Sequence, residues 1–114
     1  PSPPLPVTCT VAVSTTHTTV LEPIHVDVRV HNTSEAVADL VLTVDETDDF
    51  GIDGFQGRLA ISMLLPQEHR TFPLTLWPKR PGPLVLPRVR AWDREASEVR
   101  VDLTAPAIVH VASQ

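Results

Sequence analysis

Residues 24–30 read IHVDVRV. Ile24, Val26, Val28 and Val30 fall on one face of an extended chain, and His25, Asp27, Arg29 and then His31 fall on the other. Alternation this regular predicts a β-strand with one dry and one wet side. The period of two continues outward in both directions. Upstream, VTCTVAV sets Val7, Cys9, Val11 and Val13 on one face. Downstream, the polar turn HNTSEA leads to DLVLTVD, with Leu40, Leu42 and Val44 inward. RLAISMLL predicts a fourth strand, with Leu59, Ile61 and Met63 as one candidate inward row. PQEH turns the chain into TFPLTLW, with Phe72, Leu74 and Leu76 on one face, and PKRPG turns it again. PLVLPRVRAW is the sixth strand, and Pro87 within it implies an edge or a bulge, because proline has no N–H for a ladder. EVRVDL is the seventh; PAIVHVAS either continues it or forms an eighth. No window carries a 3.6-residue period.

The chain has 114 residues, one domain's worth. A domain of this size hides roughly two-thirds of its unfolded surface, so one modest core is feasible. Twelve prolines against four glycines disfavour helix and favour strands, edges and turns. About seven to eight short strands with polar turns predict an all-β, immunoglobulin-like antiparallel sandwich without substantial helix. The antibody fingerprint of two cysteines around a tryptophan is missing, and there is no tyrosine for a tyrosine corner. The opening PSPPLP reads as a proline-rich linker over residues 1–6, with the sandwich over 7–114 and the whole a fragment of a longer protein.

The formal net charge of −5, with no cluster of basic and aromatic residues, argues against nucleic-acid binding. One cysteine, Cys9, allows no internal disulfide and tilts the reading towards a reducing compartment. Its place in the inward row makes it a buried small hydrophobe rather than a nucleophile. No apolar run reaches membrane-spanning length. Asn32-Thr33-Ser34 is a formal glycosylation sequon. The favoured reading is a turn whose Asn and Ser side chains bond local backbone.

The chemically loaded stretch is VDETDDFGIDGFQG, Val44–Gly57, with carboxylates at Asp45, Glu46, Asp48, Asp49 and Asp53. An EF-hand needs glycine sixth and glutamate twelfth; counted from Asp45 these are Phe50 and Gln56. The stretch is therefore expected to be an inter-sheet crossover, with Phe50 and Phe55 tucked inward and the carboxylates facing water, a basic partner or a cation held by carboxylates from several loops. His25 and His31 lie roughly 20 Å apart on one strand, too far to share a metal, and His17, His69 and His110 show no motif. There is no G-x-S-x-G elbow and no glycine-rich phosphate loop, so neither an enzyme nor a cofactor is expected. Trp77 and Trp92 either cap the core, which the scarcity of other aromatics favours, or anchor a partner. The candidate partner contacts are Asp45, Asp48, Asp49, Asp53, Trp77, Lys79, Arg80 and Trp92.

The second half has a recognisable order. Phe55-Gln56-Gly57 leads into a strand, Leu64-Leu65-Pro66 follows, and then comes a run with Pro78, Gly82, Leu84, Leu86, Pro87 and Val89, with IVHV closing the chain. Over roughly Ile24 to Val111 this resembles the carboxy-terminal immunoglobulin-like domain of the large accessory subunits of the transport protein particle (TRAPP), a vesicle-tethering complex. The resemblance implies a cytoplasmic, non-catalytic scaffold domain associated with Golgi and early secretory membranes. It implies contacts with other tethering-complex subunits, and through them indirectly with Rab GTPases, with no cofactor, no nucleic acid and no direct membrane insertion. The alternative is an extracellular immunoglobulin- or fibronectin-like adhesion or receptor module.

Overall fold

The computed structural model describes residues 7–55, 57–93, 95 and 98–113, so the linker expected over residues 1–6 lies outside the described residues. Among the described residues every regular element is a strand: β1 (Val7–Val13), β2 (His17–Thr19), β3 (Ile24–Asn32), β4 (Ala38–Val44), β5 (Phe50–Asp53), β6 (Arg58–Leu64), β7 (His69–Pro78), β8 (Gly82–Val85), β9 (Val89–Asp93), β10 (Glu98–Val99), β11 (Val101–Leu103) and β12 (Ile108–Ala112). The expected strands are present, several of them cut into shorter pieces.

One layer runs β11-β1-β3-β7-β5. The other is made of two sheets, β10-β9-β4-β6 and β2-β12-β8, which share the run from Gly82 to Asp93 interrupted at residues 86–88. Pro87 explains the interruption, having no N–H to donate to a ladder. IHVDVRV sits at the centre of the first layer as β3, paired on one side from Val13↔Val26 to Val7↔Asn32 and on the other from Ile24↔Leu76 to His31↔His69. The order is immunoglobulin-like, with one departure: β5 takes the place beside β7 before β6 joins β4, so the acidic stretch crosses to the first layer and returns. The pairing is not wholly antiparallel. β1–β11 and β12–β2 run parallel, each joining a short edge strand to its sheet.

The core lies where the two inner faces meet. Cys9, Ile24, Val26, Val28, Val30, Leu74 and Leu76 from one layer face Leu40, Leu42, Ile61, Leu84, Val99 and Val109 from the other, all buried. Each such aliphatic side chain contributes roughly 1.5–3 kcal/mol on leaving water. The inward row expected for β6 is corrected at Met63. Leu40 pairs with Ile61 but Ala38 with Leu64, so Ser62 and Met63 both stand opposite Asp39 in a β-bulge. Met63 has φ 56°, its N–H donates to Asp39 Oδ1 at 2.9 Å, and its side chain is 63% exposed while Leu64 is buried in its place. Arg70 holds the bulge, donating to the carbonyls of Ser62 at 3.2 Å and Met63 at 3.0 Å. Glu68 braces that arginine at 2.7 Å, and the contact keeps the Glu68 carboxyl below its ordinary pKa.

Asn32 is the one buried polar side chain of the described core. Its amide donates to the carbonyls of Ala36 at 2.8 Å and Leu64 at 2.9 Å, and its Oδ1 accepts from the Ser34 N–H and hydroxyl at 3.0 and 2.7 Å. The HNTSEA turn is thus tied to the β6 end through one amide. A nitrogen that is buried and donating twice leaves no room for a glycan on the folded domain.

Candidate partner-binding surface

Where the acidic stretch meets the first layer, Phe50 is buried opposite Pro78, Gly51 pairs with Trp77 and Asp53 with Thr75. The ladder continues into the PKRPG turn, with the Lys79 N–H donating to the Asp49 carbonyl at 2.8 Å. Above it, Arg80 Nε donates to Asp49 Oδ1 at 2.6 Å, a contact that raises the Arg80 pKa further above its ordinary value. The acidic and basic features of the sequence are therefore one intramolecular contact. Asp45 turns to the other layer and accepts from Arg90 at 3.2 Å. Asp53 caps its own turn, accepting from the Gly54 N–H at 3.0 Å, and Asp48 is exposed. The five carboxylates do not form a single acidic face.

The tryptophans are corrected as well. Neither belongs to the buried core. Trp77 is 39% exposed on the outer face of the first layer, where a Cβ on Gly51 would stand 3.7 Å from its own and 3.8 Å from Lys79 Cε. Trp92 is half-buried on the outer face of the second layer, paired with Val41. The structure therefore brings together Asp49, Trp77, Lys79 and Arg80 and separates them from Asp45 and Trp92.

Two features escaped the sequence reading. Val37, Met63 and Leu65 are 52%, 63% and 50% exposed around the Ala38↔Leu64 pairing, at the end of edge strand β6. Apolar exposure at a sheet edge, next to the stretch that Arg70 and Glu68 cap, is the chemistry of side-chain docking or, further along β6, of strand addition. The signal was hidden because a strict period of two turns Met63 inward. The histidines also pair across strands: His31 stacks on His69 at 3.8 Å between ring centroids, and His17 on His110 at 5.2 Å. Only register, which one sequence does not print, brings them together. Cys9 is buried, and desolvation, then the Asp102 charge, pushes its thiol pKa up to about 11. It is a packing residue.

Residues 15–102 match the family described as trafficking protein particle complex subunit 13, C-terminal. The chain belongs to this family. The family-like residues do structural work here. Gly57 (φ 72°) and Gly82 (φ 115°) take turn conformations, Leu64 and Leu84 fill the core, and Leu86-Pro87 marks the break between β8 and β9. Gln56, in the middle of the Phe55-Gln56-Gly57 element, lies outside the described residues. No curated protein matches the chain. Among solved structures it is similar to a non-cellulosomal cohesin from the hyperthermophilic archaeon Archaeoglobus fulgidus, at 15% identity and TM-score 0.41, over 94% of this chain and 93% of that one. No helix among the described residues is long and apolar enough to cross a membrane.

Proposed function

We propose that this domain is a non-catalytic scaffold module that docks other subunits of a vesicle-tethering complex. It acts in ER–Golgi and Golgi trafficking on the cytoplasmic side, and it meets Rab GTPases only through the assembled complex. The observation that carries the reading is the family match over residues 15–102, which makes the chain a component of a trafficking complex. The exposed edge of β6 supplies a physical means. An extended partner segment adds to the β6 edge over residues 58–61, ahead of the bulge that Arg70 and Glu68 hold, and its apolar side chains reach Val37, Met63 and Leu65. Trp77 with Lys79 and Arg80 forms a second, amphipathic contact on the other layer.

Affinity capture of the tagged chain from cells tests this reading. Other tethering-complex subunits are expected with the native chain and are expected to fall at least tenfold with Met63→Asp/Leu65→Asp. Equal capture by that double variant would remove the edge from the account. Capture of no complex subunit by the native chain would remove the scaffold reading itself.

A further inference from the structure

Four of the chain's five histidines stand in two cross-strand pairs, and the pair that joins β2 to β12 has the spacing of a chelate. The two strands run parallel in the register His110↔His17, so both side chains leave the same face. Val109 and Val111 are buried on the inner side of β12, and His110 is exposed on the outer side with His17 exposed beside it. Backbone bonds fix the two positions. The His110 N–H donates to the Thr16 carbonyl at 2.8 Å, and the Val20 N–H donates to the Ala112 carbonyl at 3.0 Å. Thr15 Oγ1 donates to the His17 carbonyl at 2.9 Å and accepts from the His17 N–H at 3.1 Å.

The ring centroids of His17 and His110 are 5.2 Å apart, with the planes 24° from parallel. Two imidazoles on one zinc ion, with each nitrogen about 2.0–2.1 Å from the metal and near the tetrahedral angle, put their centroids about 5 Å apart. The rings therefore already have the separation of a shared ion, and they need only turn about χ2, a soft torsion, to converge on it. His31 and His69, stacked at 3.8 Å, would first have to part. One ring of the β2–β12 pair is also held in place: Thr16 Oγ1 lies 3.2 Å from His17 Nδ1. A histidine ligand usually offers its second nitrogen to such a partner, which fixes the ring and leaves Nε2 for the metal.

The donor set names the class of ion. β2, β8 and β12 contribute no Asp or Glu, and among the described residues no third His, Cys, Asp or Glu joins the pair. Calcium and magnesium require oxygen ligands, whereas imidazole suits zinc, copper and nickel. We propose that His17 and His110 chelate a divalent transition-metal ion of the zinc class, one ring nitrogen each, with water in the remaining positions. The bound ion staples β2, an edge strand of three residues, to β12. The site lies away from the β6 edge and does not depend on the scaffold reading.

The test is titration with Zn²⁺ of the chain carrying His31→Gln/His69→Gln, which removes the other pair. Binding is read by calorimetry and by the ring ¹H–¹⁵N resonances of His17, His110 and His25. One Zn²⁺ per chain is expected, with the His17 and His110 rings moving at one shared midpoint and His25 unmoved. His17→Gln and His110→Gln, both at exposed positions, are each expected to weaken Zn²⁺ by about tenfold or more with the fold intact. Saturating Zn²⁺ is expected to raise the melting temperature, reversibly on adding a chelator, because the ion binds only the folded register. Neither single variant should show that rise, and excess Mg²⁺ should not compete. Absence of saturable binding, full affinity in either single variant, movement of only one of the two rings, or equal competition by Mg²⁺ would overturn the proposal. So would movement of His25 at the same midpoint, which would reveal general surface association.

Discussion

The Asn32 side-chain amide donates to the Leu64 carbonyl at 2.9 Å, joining the end of the central strand of one layer to the edge strand of the other. The same nitrogen holds Ala36, and the oxygen holds Ser34. Asn32→Ala would strand these groups, at roughly 1–3 kcal/mol for each buried one left unpaired. The expected loss in urea unfolding is about 3 kcal/mol. Asn32→Asp should cost at least as much, because it aims a charge at two carbonyl oxygens. A loss under about 0.5 kcal/mol would show that the turn holds itself.

Gly54 has φ 128°, and a Cβ there would stand 2.7 Å from the Pro73 carbonyl oxygen. Gly57 also has positive φ, at 72°, but a Cβ there would meet open space. Gly57→Ala should therefore cost about 1–2 kcal/mol, the left-handed penalty alone. Gly54→Ala should cost more, since the backbone of β7 must shift as well. Equal midpoints for the two variants in guanidinium would contradict this ranking.

Cys9 carries a pH dependence whose sign is fixed. Its pKa rises from an ordinary 9.0 to about 11 in the fold, mainly through desolvation and secondarily through Asp102. The folded state therefore holds the proton more tightly than the unfolded state. The stabilisation is complete below about pH 9 and is lost as pH climbs through 11. Cys9→Ala should flatten that part of the stability profile while lowering its plateau. At neutral pH, iodoacetamide should label Cys9 only as fast as the domain opens; labelling at the rate of a free thiol would contradict its burial.

Met63 and Leu65 face solvent despite their chemistry. Met63→Asp should change stability by no more than about 0.5 kcal/mol, the usual range for surface substitutions. Arg70→Ala should cost more, because it releases the carbonyls of Ser62 and Met63 together with Glu68. A midpoint shift for Met63→Asp as large as that for Leu64→Asp would mean that the two side chains had exchanged faces.

Much of the fold was legible because the period of two leaves little freedom. Val26, Val28 and Val30 cannot be dry unless His25, Asp27 and Arg29 are wet. The reading failed where backbone geometry breaks the period. The bulge at Ser62–Met63 exchanged Met63 for Leu64, and the detour after Val99 sent one predicted strand to two different layers. The scarcity of other aromatics suggested a core role for the tryptophans, yet the aliphatic rows fill the core without Trp77 or Trp92. The pairing of Asp49 with Arg80, and of His31 with His69, depends on strand register, which is set by contacts between distant segments.

Hydrogen–deuterium exchange along β6 tests the scaffold account most directly, comparing the chain alone with the chain in the purified tethering complex. The account predicts that the edge-facing amides between Arg58 and Ile61, those not already bonded to β4, gain strong protection in the complex, because a partner segment covers the free edge. Exchange along that strand that is the same in both states would contradict it.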